Sequence, residues 1–390
     1  MSRILIFCPG VGGHRLEYHH HIYEVASSDT TNDYIFCVSD EFKKVSDNFE
    51  WPKRDNIAFR FLSVKETEHL YISSSLVNSY RSSKLCTRIV REVKATRVFY
   101  ISLMECLPFL PFLLPSKVKC SGIIYKIYLY VFNSESPFRK FQDKLKYYFF
   151  SRSKIFDKVL IMNDNWATKQ LNHIWNSNRF TYIVDPYLPI DINKIHNIRE
   201  DFSINSSKKI ILHCGEHSGR KGTIKLFHLI DEVIKQGKAD DFCFIFAGRP
   251  VPVFKDRFYT ELKKYEGMIQ ILVFDDFLNY ELFGSICNSS DLIVLPYEET
   301  CQSSGVIGYA AQFKVPVLMP DGGLIGRLVT EYRIGYTYTP EEFVATFRNI
   351  VSNSIPKTSS NYTDTHTSED FKKVLTALFS NNNDKTTEIL

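Results

Sequence analysis

Three glycine-bearing turns carry the side chains best suited to chemistry. In Gly215-Glu216-His217-Ser218-Gly219-Arg220-Lys221-Gly222, two cations sit in a turn that follows one apolar run and precedes a helix-like segment. Arginine offers a two-pronged fork and lysine a point charge, so together they can neutralise a phosphate leaving group. A solvated basic turn has the same composition. In Pro296-Tyr297-Glu298-Glu299-Thr300-Cys301-Gln302-Ser303-Ser304-Gly305-Val306, a strand ends at Tyr297 and hydroxyls stand where they could cap a following helix. The free amides and dipole of that helix start would make a second anion cradle. Capping alone accounts for either serine. In Gly10-Val11-Gly12-Gly13-His14, glycines would let backbone amides approach a ligand ahead of a helix. The spacing falls short of a complete GxGxxG, so a nucleotide loop and an ordinary parallel-sheet turn both fit. His14 reads equally as a capping or solvated residue.

These turns need strands to hold them. Ile4–Cys8, Tyr34–Val38, Phe59–Leu62, Val98–Leu103 and Val159–Met162 are short continuous apolar runs separated by helix-length segments. Runs apolar on both faces suit parallel strands covered by helices on each side. Near residue 180 the composition turns to Pro, Asn and Ser, which reads as an interdomain linker. A second series then starts at Lys209, with strands at KIILHCG, CFIFAG, IQILVF, LIVLPY and VPVLMP. Its helices are read at GTIKLFHLIDEVIKQG, YELFGSICNSS, SSGVIGYAAQF and GLIGRLVTEY. The fold class expected is therefore α/β, two Rossmann-like domains facing a cleft. The expected boundaries are 1–190 for the N-terminal domain and 205–352 for the C-terminal one. Residues 353–390 are expected to form a helix and polar tail, with the last ten disordered.

The order ILHCGEHSGRKG, FIFAGR, ILVFDDF, DLIVLPYEETCQSSGVIGYAAQFKVPVL and DGGLIGRLV resembles the nucleotide-sugar domain of GT-B glycosyltransferases, family 4 in particular. The likeness spans about residues 209–340 and extends less densely into the first half through PGVGGHRLEY. It implies a nucleotide-diphosphate sugar bound mainly to the second domain and an acceptor bound mostly to the first. It further implies that Lys221 is the phosphate-binding lysine and that Gly248 and Arg249 lie near the nucleotide. Phe274 would stand where the backbone meets the base, Ser303–Val306 would cradle the diphosphate, Gly215 would match the glycine that ends the first strand, and Gly322 and Gly323 would match the Gly-Gly loop before the next helix. The family's companion arginine corresponds to Glu216, and Arg220 is the candidate to replace it. Donor contacts are also expected from Gly12, Gly13 and His14.

The paired glutamates of that family, eight positions apart, fall on Cys301 and Tyr309. Tyr309 could hydrogen-bond a ribose, and Glu298 or Glu299 could replace the first acid if the loop shifts. In the first domain Glu105 follows a strand and is the candidate acid for acceptor contact or catalysis. The resemblance is to retaining enzymes, in which the departing phosphate helps to deprotonate the acceptor.

From Lys117 to Lys158 there are ten Lys/Arg against three Asp/Glu, interleaved with YKIYLYVF and KYYFFSR. Cations among aromatics suit an anionic membrane surface, and inward-packed aromatics beneath solvated lysines suit the same pattern. Over all 390 residues the net charge is only +4, which disfavours a nucleic-acid partner. Nine cysteines without a CxxC pair suit a reducing compartment, and the N-terminus lacks a signal peptide's pattern. The expectation is a cytoplasmic protein, peripheral on the inner face of a membrane if the basic region binds lipid. It would move a sugar from a nucleotide-diphosphate donor to a glycan or lipid-linked acceptor, with retention, without cofactor or metal. The rival readings are a non-catalytic GT-B scaffold subunit and a nucleotide-sugar epimerase.

Overall fold

The computed structural model describes residues 2–10, 15–46, 49–70, 75–130, 136–276 and 278–380. Its chain divides into two compact units, residues 1–185 with 368–390, and residues 186–367.

The first unit is built on seven parallel strands: β1 Arg3–Cys8, β2 Asp33–Ser39, β3 Ile57–Leu62, β4 Arg97–Tyr100, β5 Lys119–Ile124, β6 Phe156–Met162 and β7 Phe180–Ile183. They lie in the order β3-β2-β1-β4-β5-β6-β7. The longer helices are α1 Arg15–Ser28, α2 Ser75–Val93, α3 Pro137–Arg152 and α4 Asn165–Trp175. Side chains alternate across the sheet, so Leu5 and Phe7 enter one apolar core while Ile4 and Ile6 enter the other. Burial on both faces is why β1 reads as an unbroken apolar run.

The second unit has six parallel strands: β8 Lys209–Cys214, β9 Phe242–Ala247, β10 Gln270–Phe274, β11 Leu292–Val294, β12 Val317–Pro320 and β13 Gly335–Tyr338. Their order is β10-β9-β8-β11-β12-β13. Helices α5 Thr223–Lys235, α6 Pro252–Lys263, α7 Tyr280–Ser289, α8 Val306–Gln312, α9 Gly323–Glu331 and α10 Phe343–Val351 alternate with them. Every residue of β9 is buried. The strand order turns between β8 and β11, and that is where a doubly wound sheet opens its ligand crevice.

Several boundaries differ from the sequence reading. The strand expected through Leu103 stops at Tyr100, and Leu103–Cys106 forms a tight 3₁₀ turn. The segment read as the start of a linker holds β7, an edge strand of four residues that pairs only with β6. In β5, Gly122 interrupts the apolar run because a β-carbon there would come 2.4 Å from the Tyr100 carbonyl oxygen. The stretch 353–390, grouped above as one tail, divides at Ser368.

After that division the chain forms α11, Ser368–Phe379, which packs on the first unit. Phe371 is fully buried and stacks on Tyr18 at 5.5 Å. Phe379 meets Tyr34 and Phe99 edge-on at 5.6 and 5.5 Å. The Arg97 guanidinium donates to the carbonyls of Leu378 and Phe379 at 2.7 and 3.0 Å, satisfying the helix's last acceptors with a cation. The C-terminal helix is thus part of the first unit's core. Phe371→Ala should destabilise that unit by about 3–5 kcal/mol through the cavity it leaves, read as an earlier unfolding transition in denaturant.

Candidate functional site

The candidate residues of the second unit meet where strands end. After β8 the chain passes Gly215, at φ +97°, and reaches α5 through Gly222, at φ +69°. A β-carbon on Gly222 would lie 1.8 Å from the Pro296 carbonyl oxygen, so only glycine lets this turn touch the loop after β11. The Glu298 amide donates to the Arg220 carbonyl at 3.0 Å and joins the same two loops. Gly248, at φ +137°, brings the loop after β9 against Gly215, whose oxygen would be 2.1 Å from an added β-carbon. The His217 amide donates to the Arg249 carbonyl and the Val251 amide to that of His217, at 2.9 and 3.0 Å. Phe274 accepts from the Gly248 amide at 2.7 Å through its backbone oxygen, and its ring meets Phe202 edge-on at 5.3 Å. Thr300 accepts from the Leu324 amide at 2.8 Å, which draws in the turn containing Gly322 and Gly323.

His213, inside β8, fixes the turn from below. Its Nε2 lies 3.1 Å from the Thr223 hydroxyl and its Nδ1 2.9 Å from the Val294 carbonyl oxygen. A carbonyl only accepts, so Nδ1 carries the proton and the Thr223 hydroxyl donates to Nε2. That hydroxyl in turn accepts from the Ser218 amide at 3.1 Å. His217 is also buried, stacked on Phe258 at 4.8 Å, and its ring nitrogens make no hydrogen bond among the described residues. Burial holds His213 down to about 4, with the Lys221 charge lowering it further against the hydrogen bond to Val294. Burial, reinforced by His213, holds His217 down to about 3. Both rings stay neutral at pH 7.

The cations of these loops differ in what they face. Arg220 is 3.8 Å from the Glu216 carboxylate, Lys225 is 2.9 Å from Glu298, and Arg249 is paired with Asp276. Lys221 instead lies over the Tyr297 ring, with Nζ 3.8 Å from its centroid. Among the described residues it has no carboxylate within 4 Å. Tyr297 was not among the sequence candidates; its position at the end of the β11 run, beside Pro296, was the available signal. Its hydroxyl lies 3.1 Å from that of Ser304.

Other candidates take different places. Neither Ser303 nor Ser304 holds the N-cap position of α8: the helix begins beyond them, with Gly305 at its cap and Val306 as its first residue. Tyr309 is buried, edge-on to Phe283 at 5.2 Å and to Tyr187 at 6.2 Å. Cys301 is fully buried, and Glu299 accepts from the Gln302 amide group at 3.2 Å. Glu105 belongs to the first unit, where Arg15 holds it at 2.5 Å. Val11, Gly12, Gly13 and His14 lie outside the described residues. The described residues also group His20, His21 and Glu24, whose donor atoms are within 4.8 Å of one another, on α1. Lys372 already stands 3.5 Å from that carboxylate.

The aromatics of the basic region divide into a buried and an exposed set. Tyr128, Tyr147 and Phe150 are buried. Phe138, Phe141 and Tyr148, on one stripe of α3, are 68%, 63% and 49% exposed, and Phe112 nearby is 72% exposed. Phe112 meets Phe149 of α3 edge-on at 5.4 Å. Lys144 and Arg152 are exposed along the same stripe. Among the described residues no helix is long and apolar enough to cross a membrane.

No family model matches the sequence, and no curated protein matches it. Solved structures do. WaaG, a glycosyltransferase involved in lipopolysaccharide biosynthesis, superposes with a TM-score of 0.68 at 12% identity over 97% of this chain and 100% of its own. Anabaena Alr3699/HepE, in complex with UDP and glucose, gives 0.67 at 12% identity over 97% and 100%. The fold is GT-B. A Listeria monocytogenes protein described as a putative UDP-N-acetylglucosamine 2-epimerase gives 0.61 at 13% identity over 98% and 97%. Identities this low establish the GT-B architecture and leave the activity to be argued from the site.

The buried histidines make a pH prediction. A histidine held neutral in the folded state binds its proton first in the unfolded chain. Its contribution is therefore complete above about pH 6.5 and is lost as pH falls toward 4, at about 1.4 kcal/mol per pH unit for each ring. His217→Phe keeps the stacked ring and removes one such site. The variant's stability should fall less steeply between pH 6 and 4 than the wild type's, measured by denaturant unfolding at a series of pH values.

Proposed function

We propose that this chain is a glycosyltransferase that takes its sugar from a nucleotide-diphosphate donor held by the second unit. The observation that carries the reading is Lys221. Its neighbours Arg220, Lys225 and Arg249 face carboxylates, whereas its ammonium lies over an aromatic ring at the strand ends around β8 and β11. A cation so placed can attract a phosphate without first losing an acidic partner. The fold likeness to HepE, which was solved in complex with UDP and glucose, supports a nucleotide-sugar donor.

In the proposed reaction the bond from the anomeric carbon to the diphosphate oxygen breaks, and a bond to an acceptor hydroxyl oxygen forms. The hydroxyl proton passes to the departing diphosphate, with retention at the anomeric carbon. Lys221 stabilises the charge that builds on the leaving group, joined by Arg220 once it turns from Glu216. Ser304 and Gly305 supply backbone amides nearby. With two cations in this role the reading needs no divalent ion. The acceptor is a glycan or lipid-linked sugar on the first unit, and Glu105 contacts it there.

A thermal-shift series with UDP, GDP, ADP and CMP tests the donor site. One nucleotide should raise the melting temperature of the second unit, and Lys221→Ala should remove that rise while leaving the unliganded transition in place. If no nucleotide shifts the wild type, the scaffold-subunit reading takes over.

The reading also gives the exposed stripe of α3 a role at an anionic membrane on the cytoplasmic side. Phe138, Phe141 and Tyr148 would enter the interface while Lys144 and Arg152 meet lipid phosphates. The wild-type protein should sediment with phosphatidylserine-rich vesicles and less so as salt rises. Phe138→Ser with Phe141→Ser should leave it in the supernatant. Equal sedimentation of the double variant would remove this surface from the proposal.

A further inference from the structure

The first unit contains a cavity of about 290 Å³ between the start of α2, the turn after β4 and α3. Its polar lining comes from all three elements: Asn78, Ser79 and Ser82 from α2, Glu105 from the turn, and Gln142 with Lys146 from α3. Leu107 adds an apolar wall.

Three features narrow what such a cavity would hold. Its volume is at the lower edge of the range for small-molecule sites, about 300–1,000 Å³, so one sugar ring fits better than a nucleotide. Its two charged lining groups are already compensated, Glu105 by Arg15 at 2.5 Å and Lys146 by Asp143 at 3.1 Å. The balance disfavours a phosphate and favours a neutral ligand with hydroxyl groups. Ser82 is 5% exposed, and its hydroxyl makes no hydrogen bond among the described residues. Buried hydroxyls ordinarily find a partner; this one is closed off from solvent as it stands, and a turn of the side chain toward the cavity would let a ligand hydroxyl supply one.

We propose that this cavity is the subsite for one neutral pyranose ring of the acceptor. The proposal rests on the transferase reading for the word acceptor, though not for the binding itself. The ring's C–H face packs on Leu107, while its hydroxyls meet Asn78, Ser82 and Gln142. Gln142 and Lys146 lie on α3 one helical turn apart, and Phe138 stands one turn before Gln142 on the same row. One helix would therefore serve both the sugar subsite and the membrane-facing stripe.

The test is saturation-transfer NMR on the full chain with methyl glycosides of glucose, galactose, mannose and N-acetylglucosamine, without nucleotide. At least one should bind, and Ser82→Ala and Gln142→Leu should each weaken it about fivefold, the loss of one hydrogen bond. No binding to the wild type, or equal binding to both variants, overturns the subsite. The nucleotide thermal shift is measured on the same proteins and should not change in the variants. Glycoside binding lost in the variants, with no nucleotide shift in any protein, would leave the subsite standing and remove the transferase reading. A Lys221-dependent nucleotide shift without glycoside binding would do the reverse.

Discussion

A β-carbon on Gly222 would come 1.8 Å from the carbonyl oxygen of Pro296, and one on Gly248 would come 2.1 Å from that of Gly215. Both residues also have positive φ, where side chains are strained. The loops after β8, β9 and β11 can therefore lie backbone against backbone only because these positions are bare. The candidate donor site depends on that contact. It brings Arg220 and Lys221 from one strand end to Tyr297 and Glu298 from another, with no side chain filling the space between. The His213–Thr223–Ser218 relay then holds the turn in register with the strand beneath it.

Charge follows from this packing. The loops and the first turn of α5 concentrate Arg220, Lys221, Lys225 and Arg249 in one region, a cost that nearby carboxylates offset for three of them. The pairs are surface pairs, individually weak and readily exchanged. Lys221 is set apart by Tyr297, whose ring face attracts a cation without neutralising its net charge. Under the proposed function an arriving diphosphate would find one cation already oriented and others held by bonds that it could outcompete.

The strand-end glycines and the α/β alternation were legible in the sequence because both arise from local requirements. A run such as FCFIFAG is apolar for burial on two faces, and its closing glycine is needed for the turn. Short edge elements were harder to see. β7 has four residues and one partner strand, so its TYI lies inside what looks like linker. The pairing of α11 with the first unit depends on Tyr18, Arg97 and Tyr34, residues far away along the chain. The same limit applied to Lys221 and Tyr297, which are 76 positions apart. Only the fold shows that one lies over the other.

The two positions at which the family resemblance would put glutamates are both buried. Cys301 is fully buried and Tyr309 nearly so, the latter between Tyr187 and Phe283. A carboxylate at either place would need an ionic or hydrogen-bonding partner to offset its desolvation, and an apolar thiol and a phenol ring have no comparable need. The acids that remain in the loop, Glu298 and Glu299, face Lys225 and Gln302. If the chain binds a nucleotide sugar, its ribose and sugar hydroxyls must then be read by this displaced pair or by backbone groups. Donor choice in this chain should consequently respond to Glu298 and Lys225 together, because moving either one frees the charge of the other.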